Sequence, residues 1–294
     1  MKDFANRVIY NRGFAKWTAD NYCRTLKMLD NYLKKISFWQ KTINTPEEIT
    51  LAEIDNFIKI ERIKGKSATT CNNYLAGIKA YLKYQYVMWL QVIDYRRILT
   101  AREPQKKIDA LTEEEAKKLI NYFKSVKYNN QREELIKIRN LMICRLLLYT
   151  GLRVNELSSL KIEDIKEELQ IIGKWWIRRV VYLFEQDLAL IDLYLFLRKD
   201  SCPYLIVNHS KNYETRRLSN VSIENIIRAG WKNIGVEVFP HKLRHTFATN
   251  LLRNWAKLPY IQQLLWHSNI QTTQTYLSVL NTDIKKAQEL MTRY

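Results

Sequence analysis

The sequence predicts a mainly α protein with one small β-hairpin, divided into a helical N-terminal domain and a mixed, mostly helical second domain. Three observations carry this. Apolar residues in the first hundred positions recur at steps of three and four. The stretch 100–110 is charged, contains a proline and offers little to bury. Two short runs between 169 and 184 replace helical spacing with isoleucine, valine and aromatics.

The first helix is expected over Thr18–Ile36, with Tyr22, Leu26, Leu29, Tyr32, Leu33 and Ile36 on one face and Thr18 as N-cap. A second runs from Leu51 to Lys64, turns Ile54, Phe57, Ile58 and Ile60 inward, and stops at Gly65. A third starts near Ser67, carries Tyr74, Leu75, Ile78, Tyr81, Leu82 and Tyr84, and ends near Trp89. Its polar residues, Lys66, Thr69, Thr70, Asn72, Asn73, Lys79 and Lys83, read equally as a phosphate-facing stripe or as a solvated helix face. These helices make a domain over 1–103, with 104–110 as the linker.

The second domain, 111–294, opens with Thr112 and Glu115 spaced for a capping box. A long apolar helix over Glu133–Tyr149 is closed by Thr150-Gly151, where glycine can take a left-handed C-cap. Leu169–Ile172 and Ile177–Phe184 form the hairpin, with Gly173-Lys174-Trp175-Trp176 as its turn. Helical patterning returns over 186–199, 220–233, 241–254, 258–266, 270–277 and 282–292, and Pro240 and Pro259 suit first turns.

Forty-eight basic against 30 acidic residues leave a net charge of +18, which favours a polyanionic partner. Charge alone does not choose among DNA, RNA and an anionic membrane. Residues 1–103 carry 18 basic and 10 acidic side chains, and the rest of the chain keeps a net +10, so both domains could touch the polyanion. No apolar run approaches the roughly 20 residues of a membrane span, and Asp192 interrupts Leu188–Leu197. Cys23, Cys71, Cys144 and Cys202 lie far apart without a C-x-x-C pair, and the chain start lacks a signal-like apolar core. Reduced thiols in a soluble, cytoplasmic protein are expected.

The chemistry-bearing residues gather in the second domain. Arg153 stands just past a helix end with Glu156 three residues on, a spacing that orients a guanidinium or simply makes a structural pair. Lys174 sits in the hairpin turn, where lysines are commonly just solvated. His241 and Arg244 are one helical turn apart and can face one phosphate, while His245 suits a buried, supporting place. His241 and His245 also have the spacing of two zinc ligands, but the glutamate that would follow the first histidine of a metalloprotease is missing and only His209 and His267 remain, so no metal site is expected. Tyr276 alone says little among 18 tyrosines.

In order and spacing, these residues resemble the tyrosine recombinase (integrase) family, its Xer-like members most. The matching text is Gly151-Leu152-Arg153-x-x-Glu156-Leu157-x-x-Leu160-x-x-x-Asp164, Ile172-Gly173-Lys174, His241-x-Leu243-Arg244-His245-Thr246-Phe247-Ala248-Thr249, and Leu264-Leu265-x-His267-Ser268-x-Ile270-x-Thr272-Thr273-x-x-Tyr276. It covers the whole of about 110–294; the first hundred residues agree in helical texture and domain order. The chain departs from the family at Trp266 and Trp175, where glycine is usual, and at Lys242, where aspartate is common.

The resemblance implies an N-terminal DNA-binding domain, a catalytic domain and a definite chemistry. Tyr276 would attack a DNA phosphodiester, giving a 3′-phosphotyrosyl bond and a free 5′-hydroxyl. A tyrosine of ordinary pKa near 10 needs help at neutral pH, which His241 and the field of Arg153 and Arg244 would supply. Lys174 would protonate the leaving oxygen. Arg153 and Arg244 would hold the non-bridging oxygens, His267 would donate to one of them, and Glu156 would orient Arg153. One phosphodiester is exchanged for another, so neither metal, ATP nor any cofactor is implied. The implied partners are double-stranded DNA with specific recombination sites and three further copies of the chain in a tetramer on DNA, with room for an accessory protein and no membrane. The segment 283–292 would dock on a neighbouring subunit or pack on its own domain. A hairpin-forming telomere resolvase, a non-cleaving DNA-binding protein with the same fold, and an RNA-binding module are the competing readings; the last lacks an RRM aromatic signature and a G-x-x-G loop.

Overall fold

Short polar side chains set many of the helix starts. Thr50 and Thr112 close capping boxes with Glu53 and Glu115, and the side chains of Ser67, Asn130 and Ser219 accept from the backbone N–H three residues on. The computed structural model describes residues 2–7, 16–36, 42–88, 90–101, 109–172, 178–209, 215–254 and 258–265. Helices dominate, with one two-stranded antiparallel sheet among the described residues. The chain divides into two units, Met1–Lys106 and Lys107–Tyr294.

The first unit holds α1 (Lys2–Asn6), α2 (Lys16–Ile36), α3 (Leu51–Ile63) and α4 (Ala68–Val87). Leu26, Leu29 and Leu33 of α2 share one core with Ile54 and Phe57 of α3 and Leu75, Ile78, Tyr81 and Leu82 of α4. Phe4 of α1 caps it, edge-on to the Tyr81 ring at 5.4 Å. Burial of each such side chain stabilises by about 1.5–3 kcal/mol. Two expectations are corrected here. α2 begins upstream of Thr18, which lies in its first turn and does not cap it. Ile60 is exposed and Glu61 is buried instead. At 100° per residue, Glu61 falls within about 20° of the Ile54 direction and Ile60 about 120° away. Lys64 meets the Glu61 carboxylate at 2.6 Å. Within the polar stripe of α4, Asn72 is a clip, exchanging hydrogen bonds of 3.0 and 2.9 Å with the backbone of Ala101.

The second unit contains α5 (Glu113–Ser125), α6 (Gln131–Thr150), α7 (Val154–Ser158), β1 (Glu168–Ile172), β2 (Arg178–Tyr182), α8 (Glu185–Leu197), α9 (Asn220–Ile234), α10 (Pro240–Arg253) and α11 (Leu258–Leu265). α6 is its centre: α5, α8, α9 and α10 pack against it, over Met142, Ile143, Cys144, Leu146, Leu147 and Leu148. The strands pair antiparallel, with Leu169 opposite Val181 and Ile171 opposite Arg179 on the core-facing side. The hairpin turn and the segments expected to be helical over 270–277 and 282–292 lie outside the described residues.

α10 is tied to the chain entering this unit. The buried Lys242 Nζ meets Asp109 at 2.6 Å, and the Thr246 hydroxyl accepts from the Leu111 N–H at 2.9 Å while donating to the Lys242 carbonyl at 2.9 Å. Elsewhere, Arg139 donates to the Val207 carbonyl at 3.0 Å and the Tyr194 hydroxyl meets His209 Nε2 at 2.8 Å, bracing the loop after α8.

Candidate active site

Gly151 ends α6 at φ +64°, a left-handed conformation that suits glycine. A Cβ there would also stand 2.5 Å from Phe247 Cδ1, so both backbone and packing require its absence. This turn points the chain into α7, where Arg153 is the N-cap residue and Glu156 the third residue of the helix.

Glu156 holds Arg153 twice. One carboxylate oxygen accepts the Arg153 backbone N–H at 2.8 Å and the other accepts Arg153 Nη1 at 2.8 Å. From β2, Arg179 donates Nη2 and Nη1 to the same two oxygens at 2.6 and 3.2 Å. Burial alone would raise the Glu156 pKa, but the Arg179 charge first, then the bonds from Arg153 and Arg179, hold it below the ordinary value. Glu156 is therefore an anion at neutral pH.

Arg244 reaches the same place from α10. It is buried, donates Nη1 to the Gly151 carbonyl and donates Nη2 to the carbonyl of Leu265, the last residue of α11. Arg153 Nη2 donates to that same Leu265 oxygen at 3.5 Å. Two guanidinium groups from distant parts of the chain thus converge on one oxygen. Both forks are within hydrogen-bond reach of a single acceptor.

His241, one turn before Arg244, stacks edge-on against His245 with ring centroids 4.4 Å apart. His245 is half-buried, and burial first, then His241 and Arg244, push it down to about 4. His241 is open to solvent at its rim; partial burial of the ring, then the charges of Arg244 and Arg153, hold it below its usual value. Both imidazoles are neutral at pH 7, so His241 can accept a proton.

Four of the seven residues expected at the site, Arg153, Glu156, His241 and Arg244, are brought together. Lys174, His267 and Tyr276 lie outside the described residues, as do Trp175 and Trp266. Lys242, one of the departures, spends its charge on Asp109. Sequence reasoning missed Arg179. A signal existed: 179 shares parity with the buried Val181 and Leu183, so a strand there turns an arginine toward the core, where it demands an anion.

This geometry can grip an oxyanion with two forks and offer a neutral base beside it. The phage integrase family profile matches residues 109–282, and that of the phage integrase N-terminal SAM-like domain matches residues 1–89. Tyrosine recombinase XerA of Pyrococcus horikoshii is 32% identical over 270 residues, covering 90% of this chain and 86% of that protein. Tyrosine recombinase XerD of Oceanobacillus iheyensis is 29% identical over 299 residues, covering 97% and 95%. Among solved structures, a post-cleavage complex of the XerH site-specific recombinase with palindromic difH substrate superposes with a TM-score of 0.77 at 20% identity, covering 95% of this chain and 81% of that one, a likeness of fold. The chain belongs to the phage integrase family and is a tyrosine recombinase.

Proposed function

We propose that this recombinase cuts and rejoins specific DNA sites by transesterification through Tyr276. The observation that carries the reading is the convergence of Arg153 and Arg244 on one acceptor oxygen. A phosphate placed there would present two non-bridging oxygens to two planar forks, and its added charge in the transition state would be met by fixed cations in a partly buried site.

In this scheme the Tyr276 oxygen bonds to phosphorus and its proton passes to the neutral His241. The bond from phosphorus to the 5′-oxygen breaks, and that oxygen takes a proton from Lys174. His267 donates to a non-bridging oxygen. Strand exchange reverses these steps with a different 5′-hydroxyl, so the bond energy is conserved in the 3′-phosphotyrosyl link and no ATP is consumed. Arginines and lysine do the electrostatic work, and the reaction needs no metal. We further propose that residues 1–103 form the DNA-binding domain, joined by 104–110 to a catalytic domain over 111–294, and that four copies act together on two duplexes in the cytoplasm. The described residues include no helix long and apolar enough to cross a membrane.

The test is covalent trapping on nicked suicide duplexes drawn from a sequence library. The parent chain is expected to form an adduct in excess EDTA, while Tyr276→Phe binds DNA and forms none. An adduct that survives Tyr276→Phe would overturn the nucleophile assignment, and a chelator that abolishes the parent's adduct would overturn the metal-free scheme.

A further inference from the structure

Arg179 occupies an unusual place for an arginine. It is the second residue of β2, on the core-facing side of the hairpin and opposite Ile171, where alternation calls for an apolar side chain. Its side chain is 2% exposed. A guanidinium so placed is costly unless an anion meets it, and the anion is Glu156, engaged by both Nη atoms. Glu156 in turn binds both the main chain and the side chain of Arg153. Its two oxygens take four hydrogen bonds, two from each arginine, which uses the acceptor capacity of a carboxylate.

We infer that Arg179 is a positioning residue for strand cleavage: by holding and neutralising Glu156, it fixes Arg153 while leaving the Arg153 charge available to the DNA phosphate. Two guanidinium groups share one carboxylate, so the trio keeps one net positive charge beside the anion site. With a neutral side chain at 179, Glu156 would cancel Arg153 and the net would fall to zero. Arg153 would then bind its carboxylate more tightly and a phosphate less tightly. Among the described residues, the charged groups facing Glu156 are Arg153 from its own turn and Arg179 from β2; α10 adds Arg244 and His241 around Arg153. Position 179 is also five residues beyond Lys174 on the strand that leaves the hairpin turn, so one strand follows the proposed acid and anchors the proposed clamp.

The inference rests on Arg153 being a phosphate ligand, and the experiment separates the two. Single-turnover covalent attachment on a suicide duplex is measured against pH for the full-length parent, Arg179→Met, Arg179→Lys, Glu156→Gln, Arg179→Met with Glu156→Gln, and Arg153→Ala. Arg179→Met is expected to slow attachment on the order of 10-fold or more, the scale on which supporting hydrogen-bond partners act, with DNA affinity changed far less. Its acid limb should move to higher pH, because Glu156 then cancels the Arg153 charge that helps hold His241 below its usual value, and the base protonates more readily. Arg179→Lys should keep the parental limb and recover part of the rate. In the Glu156→Gln background, adding Arg179→Met should change the rate little.

Parental attachment by Arg179→Met, an unmoved acid limb, or an equal loss in the Glu156→Gln background would each overturn the inference. If Arg179→Met does not fold, Arg179→Lys with and without Glu156→Gln carries the same comparison. Parental attachment by Arg153→Ala would overturn the phosphate-ligand reading and this inference with it. Loss in Arg153→Ala but not in Arg179→Met would overturn this inference alone.

Discussion

Substituting Gly151 by alanine tests whether the turn into α7 is as constrained as its geometry implies. The backbone sits at φ +64°, where a Cβ costs about 1–2 kcal/mol. The new methyl would also stand 2.5 Å from Phe247 Cδ1 and 2.9 Å from Cε1, an overpacking that adds about 1–3 kcal/mol as the ring shifts. Together these predict a loss of about 2–5 kcal/mol. For a unit of this size each kcal/mol lowers the melting temperature by roughly 2–4 °C, so the second unit should melt about 4–20 °C lower. Gly235 provides the control: it ends α9 at φ +71° with nothing within 4 Å of a Cβ, so Gly235→Ala should show the backbone part alone. Covalent attachment should fall in Gly151→Ala below its melting range, because the Gly151 carbonyl that receives Arg244 moves with the turn. The assay is thermal unfolding of both variants beside the suicide-substrate reaction. A Gly235→Ala loss equal to that of Gly151→Ala would refute the packing argument, and parental melting of both would refute the conformational one.

Thr246→Val removes the acceptor of the Leu111 N–H and strands a buried donor, so the second unit should lose about 1–3 kcal/mol in urea unfolding, and Thr246→Ser should recover most of it. A valine variant as stable as the parent would mean that the N–H finds another partner. Acid should destabilise the chain in two stages. His209 and His245 are both held near 4 against an ordinary 6.5, so the unfolded chain takes up protons first; stability is complete above about pH 6.5 and declines as the pH falls toward about 4. Glu156 and Asp200, held below ordinary carboxylate values, add their loss at lower pH. Urea midpoints between pH 7 and pH 5 should fall, and His209→Gln should flatten that slope; a level profile in the parent would contradict the burial of these imidazoles.

Local signals were the legible ones. The box at Thr112, the glycine stop of α6 and the change of texture into the hairpin each depend on residues close together in the chain, so they appear in the sequence as they do in space. The grouping of Arg153, Glu156, His241 and Arg244 was legible only as a family pattern, since nothing in their spacing says that α10 returns to the end of α6. What stayed hidden required the third dimension. Ile60 looked inward by composition, yet the face of α3 is set by Ile54 and Phe57, which choose Glu61. The Lys242 partner lies at the opposite end of the unit, at Asp109. Arg179 went unnoticed in the run Ile177–Phe184, although its parity with Val181 and Leu183 turns it inward; the anion that meets it, Glu156, is visible only in the fold.

The bonds that close the second unit also set an order of assembly during synthesis. Arg244 reaches the Gly151 carbonyl across 93 positions, and the Leu111 N–H finds Thr246 across 135. Arg153 and Glu156 can meet as soon as α7 winds, while the chain is still emerging from the ribosome. The second fork has no seat until α10 has been made, and a domain of this kind folds as a unit. A chain that ends before α10 therefore holds Arg153 against Glu156 but lacks the second fork, so its anion site is completed only by one of the last described helices to be made.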